Sequence, residues 1–292
     1  MWNRIFLLGT GLALGWSLVN YCTVPSDQRR GQLVRCLLGG GGGLLLILWL
    51  GFFSVGAGLV GLLVFGSSAL AAFAANAKQV SRVEPTTFSE PGQFPKGDRQ
   101  AVLLVAEGEL ARYTGPVPWA RRLGRLQAAG RRAPHWFVRP LTYARIRAAY
   151  ERMGGKSPLP ATLDALTNAL AIHLGSDYVV HLACLSTEPL LADVLRSLPK
   201  EGIGQVTVIA FHLDAAATNY LRAQLTASRL RERGIPLRVA SYHSASWANF
   251  ADEQRLRQFS QGQPAAAPDS PTPEMVQALG ALVRAEGNVS AS

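Results

Sequence analysis

The sequence predicts an α/β domain, a four-stranded parallel sheet with helices on both faces, preceded by transmembrane helices. Three observations carry that prediction. Four short, uninterrupted apolar runs alternate with stretches of helical periodicity, the pattern of strands buried on both faces. Residues 1–76 hold only Arg4, Asp27, Arg29, Arg30 and Arg35 as charged side chains, so 25 basic and 18 acidic residues fall in 77–292. Between the two parts, residues 83–99 are rich in Pro, Ser, Thr and Gly without either period, as a tether is.

Composition removes several classes. With 48% hydrophobic and 16% charged residues the chain is not disordered. Three Cys are too few for a disulfide scaffold, and no Cys-x-x-Cys pair announces structural zinc. Nothing indicates a secreted protein. The expected organisation is a membrane region at 1–77, a linker at 78–100, the α/β domain at 101–260, and a Pro/Ala-rich linker with a short helix at 261–292.

Ile5 to Cys22 carries no charge and is long enough for a short span. A signal peptide is the competing reading, weakened by the apolar block that follows and by the poor cleavage site at Tyr21-Cys22-Thr23. Cys36 to Ala77 is also uncharged. At ~1.5 Å per residue it would make roughly 60 Å of helix, about twice the ~30 Å hydrocarbon core, so two spans with a tight turn near Gly51 to Gly58 are expected. The run Gly39 to Gly43 allows close helix approach or marks a loose helix start. Three spans put the 23–35 loop, with Arg29, Arg30 and Arg35, on the same side as Lys78, Arg82 and the large domain. The positive-inside rule makes that side cytoplasmic, whereas two spans would separate the basic clusters.

The strands are expected at Ala101–Ala106, Tyr178–Leu182, Val206–Ala210 and Leu237–Ala240. Helical patterns cover Tyr143–Met153, Leu159–His173, Pro189–Leu198 with Thr187 as N-cap, and Ala215–Arg233 with Asp214 as N-cap and Gly234 as stop. A last short helix runs from Glu274 to Glu286. Arg121, Arg122, Arg125, Arg131, Arg132 and Arg139, interleaved with Trp119, His135 and Trp136, form a basic stretch. It suits nucleic acid, anionic lipid headgroups or a ligand's carboxylates. No nucleic-acid motif is present, and lipid is the simplest partner for a tethered domain.

In an open parallel sheet, ligands bind beyond the carboxyl ends of the strands. Those ends are followed by Glu107, Gly108 and Glu109, by Cys184, Ser186 and Glu188, by His212 and Asp214, and by Tyr242, His243 and Ser244. Imidazoles, carboxylates and a thiol thus converge on one rim, which suits a divalent metal or proton transfer. Each also has a bland role: Asp214 and Glu188 start helices well, Cys184 packs as a small hydrophobe, and His243 stands in solvent. Glu107 and His212 are the strongest candidates. Gly154-Gly155-Lys156-Ser157-Pro158-Leu159 is not a phosphate-binding P-loop. Its glycines end one helix and Ser157 caps the next, although a helix start can also hold an anion.

Tyr150-Glu151-Arg152-Met153-Gly154-Gly155-Lys156-Ser157-Pro158-Leu159 resembles the tyrosine-to-Gly-Gly-x-Ser-Pro signature of ferrochelatases. Ala106-Glu107-Gly108 resembles their first strand and glycine turn, Glu188-Pro189 their proline-started helix, and Val206 to Tyr220 through Phe211-His212 their third strand and substrate loop. The resemblance covers roughly 100–260. It implies half of a chelatase-type fold, in a family that inserts metal into a tetrapyrrole between two α/β halves. About 50 residues follow the fourth strand, too few for the other half. Tyr242-His243-Ser244 imitates a second-half motif but lies in the first half, and is read as coincidence. Glu107 stands where the family has an apolar or aromatic residue, and Ala215 to Ala217 replace small hydroxylic ones.

What the resemblance implies for this chain is a tetrapyrrole ligand (haem, chlorophyll or a precursor) and a divalent metal. His212 and Glu107 become the catalytic and metal-binding pair, with Ser157, Gly155, Asp214, Tyr220 and His243 on the tetrapyrrole. Three functions follow, in order: a membrane-anchored tetrapyrrole-binding protein without full catalysis, a structural or assembly subunit of a membrane complex, and an active chelatase working as a homodimer. A cleft filled by the protein's own side chains would leave an anchored scaffold.

Overall fold

In the computed structural model, residues 2–82, 97–244, 247, 252–264 and 270–287 are described; most of the expected tether lies outside them. The elements run α1 (Trp2–Thr23), α2 (Arg29–Phe53), α3 (Val55–Val80), β1 (Arg99–Ala106), α4 (Val117–Ala128), α5 (Arg139–Arg152), α6 (Leu159–Leu174), β2 (Tyr178–Cys184), α7 (Leu191–Ser197), β3 (Ile203–Phe211), α8 (Ala215–Ala227), β4 (Leu237–Tyr242), α9 (Asp252–Ser260) and α10 (Pro273–Gly287).

The first three helices are each long and apolar enough to cross a membrane. The long apolar block breaks at Ser54, inside the expected window. Ser54 is extended (φ −160°, ψ 123°), and its hydroxyl accepts a hydrogen bond from the Ala57 amide, which opens α3. Arg29, Arg30 and Arg35 do not lie in a loop as expected, because α2 begins at Arg29. Arginine is a good helix former, so the helix runs back through these residues to the Pro25–Gln28 turn.

α1 and α3 touch backbone to backbone. A Cβ on Gly15 would overlap the Ala69 carbonyl, and one on Gly11 the Phe65 carbonyl and the Ser68 hydroxyl. The later glycine run serves only in part. Gly39 faces α1 near Leu14 and Gly43 faces the Phe65 ring, while Gly41 and Gly42 meet nothing within 4 Å. Asn76 on α3 donates to the Trp16 carbonyl (3.0 Å) and to Asn20 Oδ1 (3.1 Å), a polar tie inside the apolar bundle.

The sheet has the order β2-β1-β3-β4, with every pair parallel. Each strand outruns the apolar segment that announced it, since the ladder also recruits polar neighbours such as Gln100, opposite Tyr178 and Gln205. Side chains alternate between two cores. Leu103, Val105, Val206 and Val208 pack under α7 and α8, while Val102, Leu104, Ile209 and Phe211 pack under α6 and α10. Burying one such Leu or Val contributes about 1.5–3 kcal/mol, and both faces of β1 and β3 do so along their length. Met275, Val276, Leu279 and Val283 make α10 part of that second core.

Local expectations change in four places. α4 and α9 replace what reads as irregular chain, and with α5 they enclose a third core of Trp119, Leu123, Tyr143, Ile146, Tyr150 and Phe259. α7 starts at Leu191 and not at Pro189, and Thr187 does not cap it. The Cys184 amide donates to the Pro189 carbonyl and Cys184 bridges Leu190, so this backbone continues beside β2 before turning helical. α8 ends at Ala227; a separate turn at Arg231–Arg233 carries the chain to Gly234 (φ 74°). The basic stretch is not one exposed face, because Arg122 and Arg139 are buried.

The domain seats directly on the helix bundle. Arg147 on α5 donates to the Tyr21 (2.7 Å) and Val24 (2.9 Å) carbonyls at the end of α1, and the Tyr113 hydroxyl donates to Thr23 O (3.0 Å). The Phe73 ring on α3 meets Phe137 edge-on at 5.1 Å.

Candidate functional site

From β1 the chain crosses to β2 on one side and then returns past β1 to β3 on the other. The switch point therefore lies between the carboxyl ends of β1 and β3, where a parallel sheet opens a crevice. A cleft lies there, with Glu107, Gly108 and Glu109 from the end of β1, Phe211 and His212 from β3, and Leu159 and Leu163 from α6. Arg122, Trp247 and Arg255 also line it. Gly108 turns the chain at φ 81°, and a Cβ there would overlap Thr187 and Cys184.

Glu107 is buried and already engaged. Arg125 Nη2 and the Ser186 hydroxyl both donate to its Oε1, and Arg122 Nε stands 3.9 Å away. Arg125 is fixed in turn: it donates to Leu185 O (3.1 Å) and Ser186 Oγ (2.9 Å), and its guanidinium lies 5.1 Å over the Tyr220 ring. Tyr220 is thus the platform for the arginine that holds Glu107. Glu109, fully buried at its carboxylate, takes two hydrogen bonds from Arg255, one of them from Nη2 at 3.2 Å.

His212 adopts the left-handed region (φ 51°), uncommon for a residue with a side chain, while its amide donates to Tyr242 O (3.0 Å). Its Nε2 accepts from the Ser244 amide (3.1 Å), which leaves Nδ1 to carry the proton of the neutral ring. Burial, and secondarily the nearby His243, lower its pKa to about 4, so it is a neutral nitrogen base at physiological pH. Phe211 stacks on Tyr242 (5.8 Å, 5°), and His212 lies 5.6 Å from His243 and 5.9 Å from Trp247. His243 is exposed at the outer lip.

The remaining expected residues are placed apart from this cleft. Ser157 accepts from the Leu159 amide (3.3 Å) at the start of α6, and its own amide donates to Ala111 O (2.9 Å). The Gly155 amide donates to Tyr150 O (2.8 Å), closing α5. Asp214 caps α8 through Ala217 N (2.7 Å). Cys184 stays a thiol, its pKa pushed up to about 12 by burial.

Glu107 and His212 therefore share one cleft. Among the described residues, no three His, Cys, Asp or Glu side chains gather to hold a metal ion. The cleft encloses about 30 Å³. That admits a water or two, each needing roughly 10–15 Å³, whereas ligand pockets run to about 300–1,000 Å³. The described side chains do not fit a metal or an enclosed macrocycle.

Sequence reasoning placed Glu109 on the rim but missed Arg122, Arg255 and Trp247 as members of the cleft, and Arg125 as the partner of Glu107. α4 was findable: Pro118 at its start and Trp119, Leu123 and Leu126 at helical spacing mark a buried stripe. Arg255, 146 residues from Glu109, left no local signal.

Residues 100–244 match the ferrochelatase family model. A ferrochelatase of Geotalea daltonii (strain DSM 22248 / JCM 15807 / FRC-32) is 32% identical over 68 residues, which are 23% of this chain and 21% of that protein. The aligned part thus spans about a fifth of that relative's length.

Proposed function

We propose that this chain, which carries a ferrochelatase-family domain at residues 100–244, is a membrane-anchored protein that holds a tetrapyrrole at its outer rim and does not insert metal into it. The observation that carries this reading is the engagement of Glu107 by Arg125 and Ser186 beside a neutral His212. A carboxylate neutralised by a buried guanidinium is a poor acceptor for an incoming cation, because the arginine must first be displaced. A flat macrocycle would lie across the lip, against half-buried Tyr242 and exposed His243, and not in the small cleft. A second copy of the chain facing that lip would supply the other wall of a slot. Arg29, Arg30, Arg35, Lys78 and Arg82, toward the helix ends nearest the domain, support a cytoplasmic side for it in this reading.

The test is absorption titration of the full chain in detergent with haemin and with a metal-free porphyrin, followed by incubation with ferrous iron. A Soret shift lost in His243→Ala, with no metal insertion, is expected. No shift with either porphyrin would reject the reading, and insertion abolished by His212→Ala would restore an active chelatase.

The small cleft favours a second reading, in which the domain is a docking or assembly subunit of a membrane complex. Affinity purification from its own membrane separates the two. Co-purified pigment supports the first, while a partner protein retained by Tyr242→Ala/His243→Ala without pigment supports the second.

A further inference from the structure

Beside the point where α3 meets the α/β domain, a groove of about 700 Å³ lies away from the cleft. It is lined by Lys78, Gln79, Ser81, Arg82, Trp136 and Arg139, together with Ala75 and Gln127. Lys78 and Arg82 are exposed, on the last turn of α3 and just past it. Arg139, buried, is anchored by donating to Pro134 O (3.1 Å), Ser81 O (3.4 Å) and Gln127 Oε1 (2.7 Å), all neutral oxygens, so its charge is not cancelled. No acidic side chain lines the groove among the described residues. Trp136, half-buried, meets Phe137, and Phe137 meets Phe73 of α3.

From this we infer that the groove binds the phosphate-bearing headgroup of an anionic lipid, seated between the end of α3 and the α4–α5 connection. The inference rests on the reading that α1 to α3 cross the bilayer. Its position is the argument for lipid. The groove opens where the last apolar helix ends, the depth at which headgroups lie and where tryptophan prefers to sit. Three cations around one opening supply the charge that basic pockets beside transmembrane helices offer to anionic headgroups. The volume matches a headgroup, falling within the ~300–1,000 Å³ of ordinary ligand sites. A lipid held there would touch α3 and α5 together and so clamp the domain to the membrane.

The test uses the full chain in nanodiscs of phosphatidylcholine with and without one-fifth phosphatidylglycerol, read by native mass spectrometry for retained lipid. Wild type is expected to retain phosphatidylglycerol. Lys78→Gln/Arg82→Gln is expected to lose roughly thirty-fold in retention, the effect of two headgroup contacts of about 1 kcal/mol each. Arg222→Gln/Arg257→Gln, which removes the same charge from other exposed positions, is expected to retain lipid as wild type does. Equal retention by the groove variant, or equal loss in the control, overturns the site. Displacement of the lipid by low-millimolar inorganic phosphate overturns the lipid in favour of a soluble phosphate ligand. If α1 to α3 do not cross the bilayer, the chain fails to enter nanodiscs of either composition, a result distinct from entry without retained lipid.

Discussion

Buried arginines answer different groups at two of their sites. At the joint between the helix bundle and the domain, Arg147 donates to the Tyr21 and Val24 carbonyls at the end of α1. In the cleft, Arg125 and Arg255 hold Glu107 and Glu109. Carbonyls at a helix C-terminus have no intrahelical partner and carry the negative end of the dipole, so a cation there fastens two parts of the protein. A carboxylate is a full charge that a cleft could use, so a cation there cancels chemistry as well as making a tie. One residue type therefore joins the domain to its bundle in one place and lines its cleft in the other.

The difference predicts which losses a second mutation can repair. Arg255→Met leaves Glu109 buried and alone, and is expected to cost about 3–5 kcal/mol. Adding Glu109→Met removes the orphaned charge and should recover most of that, as thermal unfolding of the solubilised chain can measure. A double variant as unstable as the single one would break the comparison.

Arg147→Met is expected to cost about 2–3 kcal/mol, because it leaves carbonyls at the end of α1 without their donor. No side-chain change at positions 21 or 24 removes a backbone carbonyl, so Tyr21→Phe and Val24→Ala should not rescue it. The same unfolding assay decides this.

His212 sharpens the contrast through pH. Its folded pKa of about 4 lies below the usual 6.5. Between those values the unfolded chain binds a proton that the folded one refuses. The stability from the neutral ring is therefore complete above about pH 6.5 and is lost as pH falls toward 4, with about 1–2 kcal/mol at stake after solvent screening. His212→Gln should flatten that part of the stability-pH profile while Arg147→Met leaves it in place.

The smallest effect belongs to a carboxylate outside the cleft that answers a neutral amide. Asp214→Ala removes the α8 cap and should cost about 1 kcal/mol, whereas Asp214→Asn should cost a few tenths. Equal losses would mean that charge, and not the hydrogen bond to Ala217, holds that helix start.

How much of this could be read from the chain follows the range of the forces involved. The three long apolar helices, the break between Gly51 and Gly58 and the four strands rest on runs of neighbouring residues, and the fold contains each of them. Asp214 as a cap was legible for the same reason, since its partner is three residues away. The junction Arg29–Arg35 was misplaced because a basic run flanking an apolar one fits a loop or a helix start equally well. In the cleft, the convergence of Glu107 and His212 followed from both standing at the carboxyl ends of parallel strands. Their condition did not.

The sequence alone determined where apolar surface must be hidden, and with it the bundle, the parallel sheet and the rim at which strand ends meet. Periodicity is local, and burial acts on every residue of a face alike. Only the tertiary structure decided that Glu107 meets Arg125, that Glu109 meets Arg255 from 146 residues away, and that about 30 Å³ remains between them. Ion pairs and cavities depend on ångström distances between side chains whose positions no local pattern encodes.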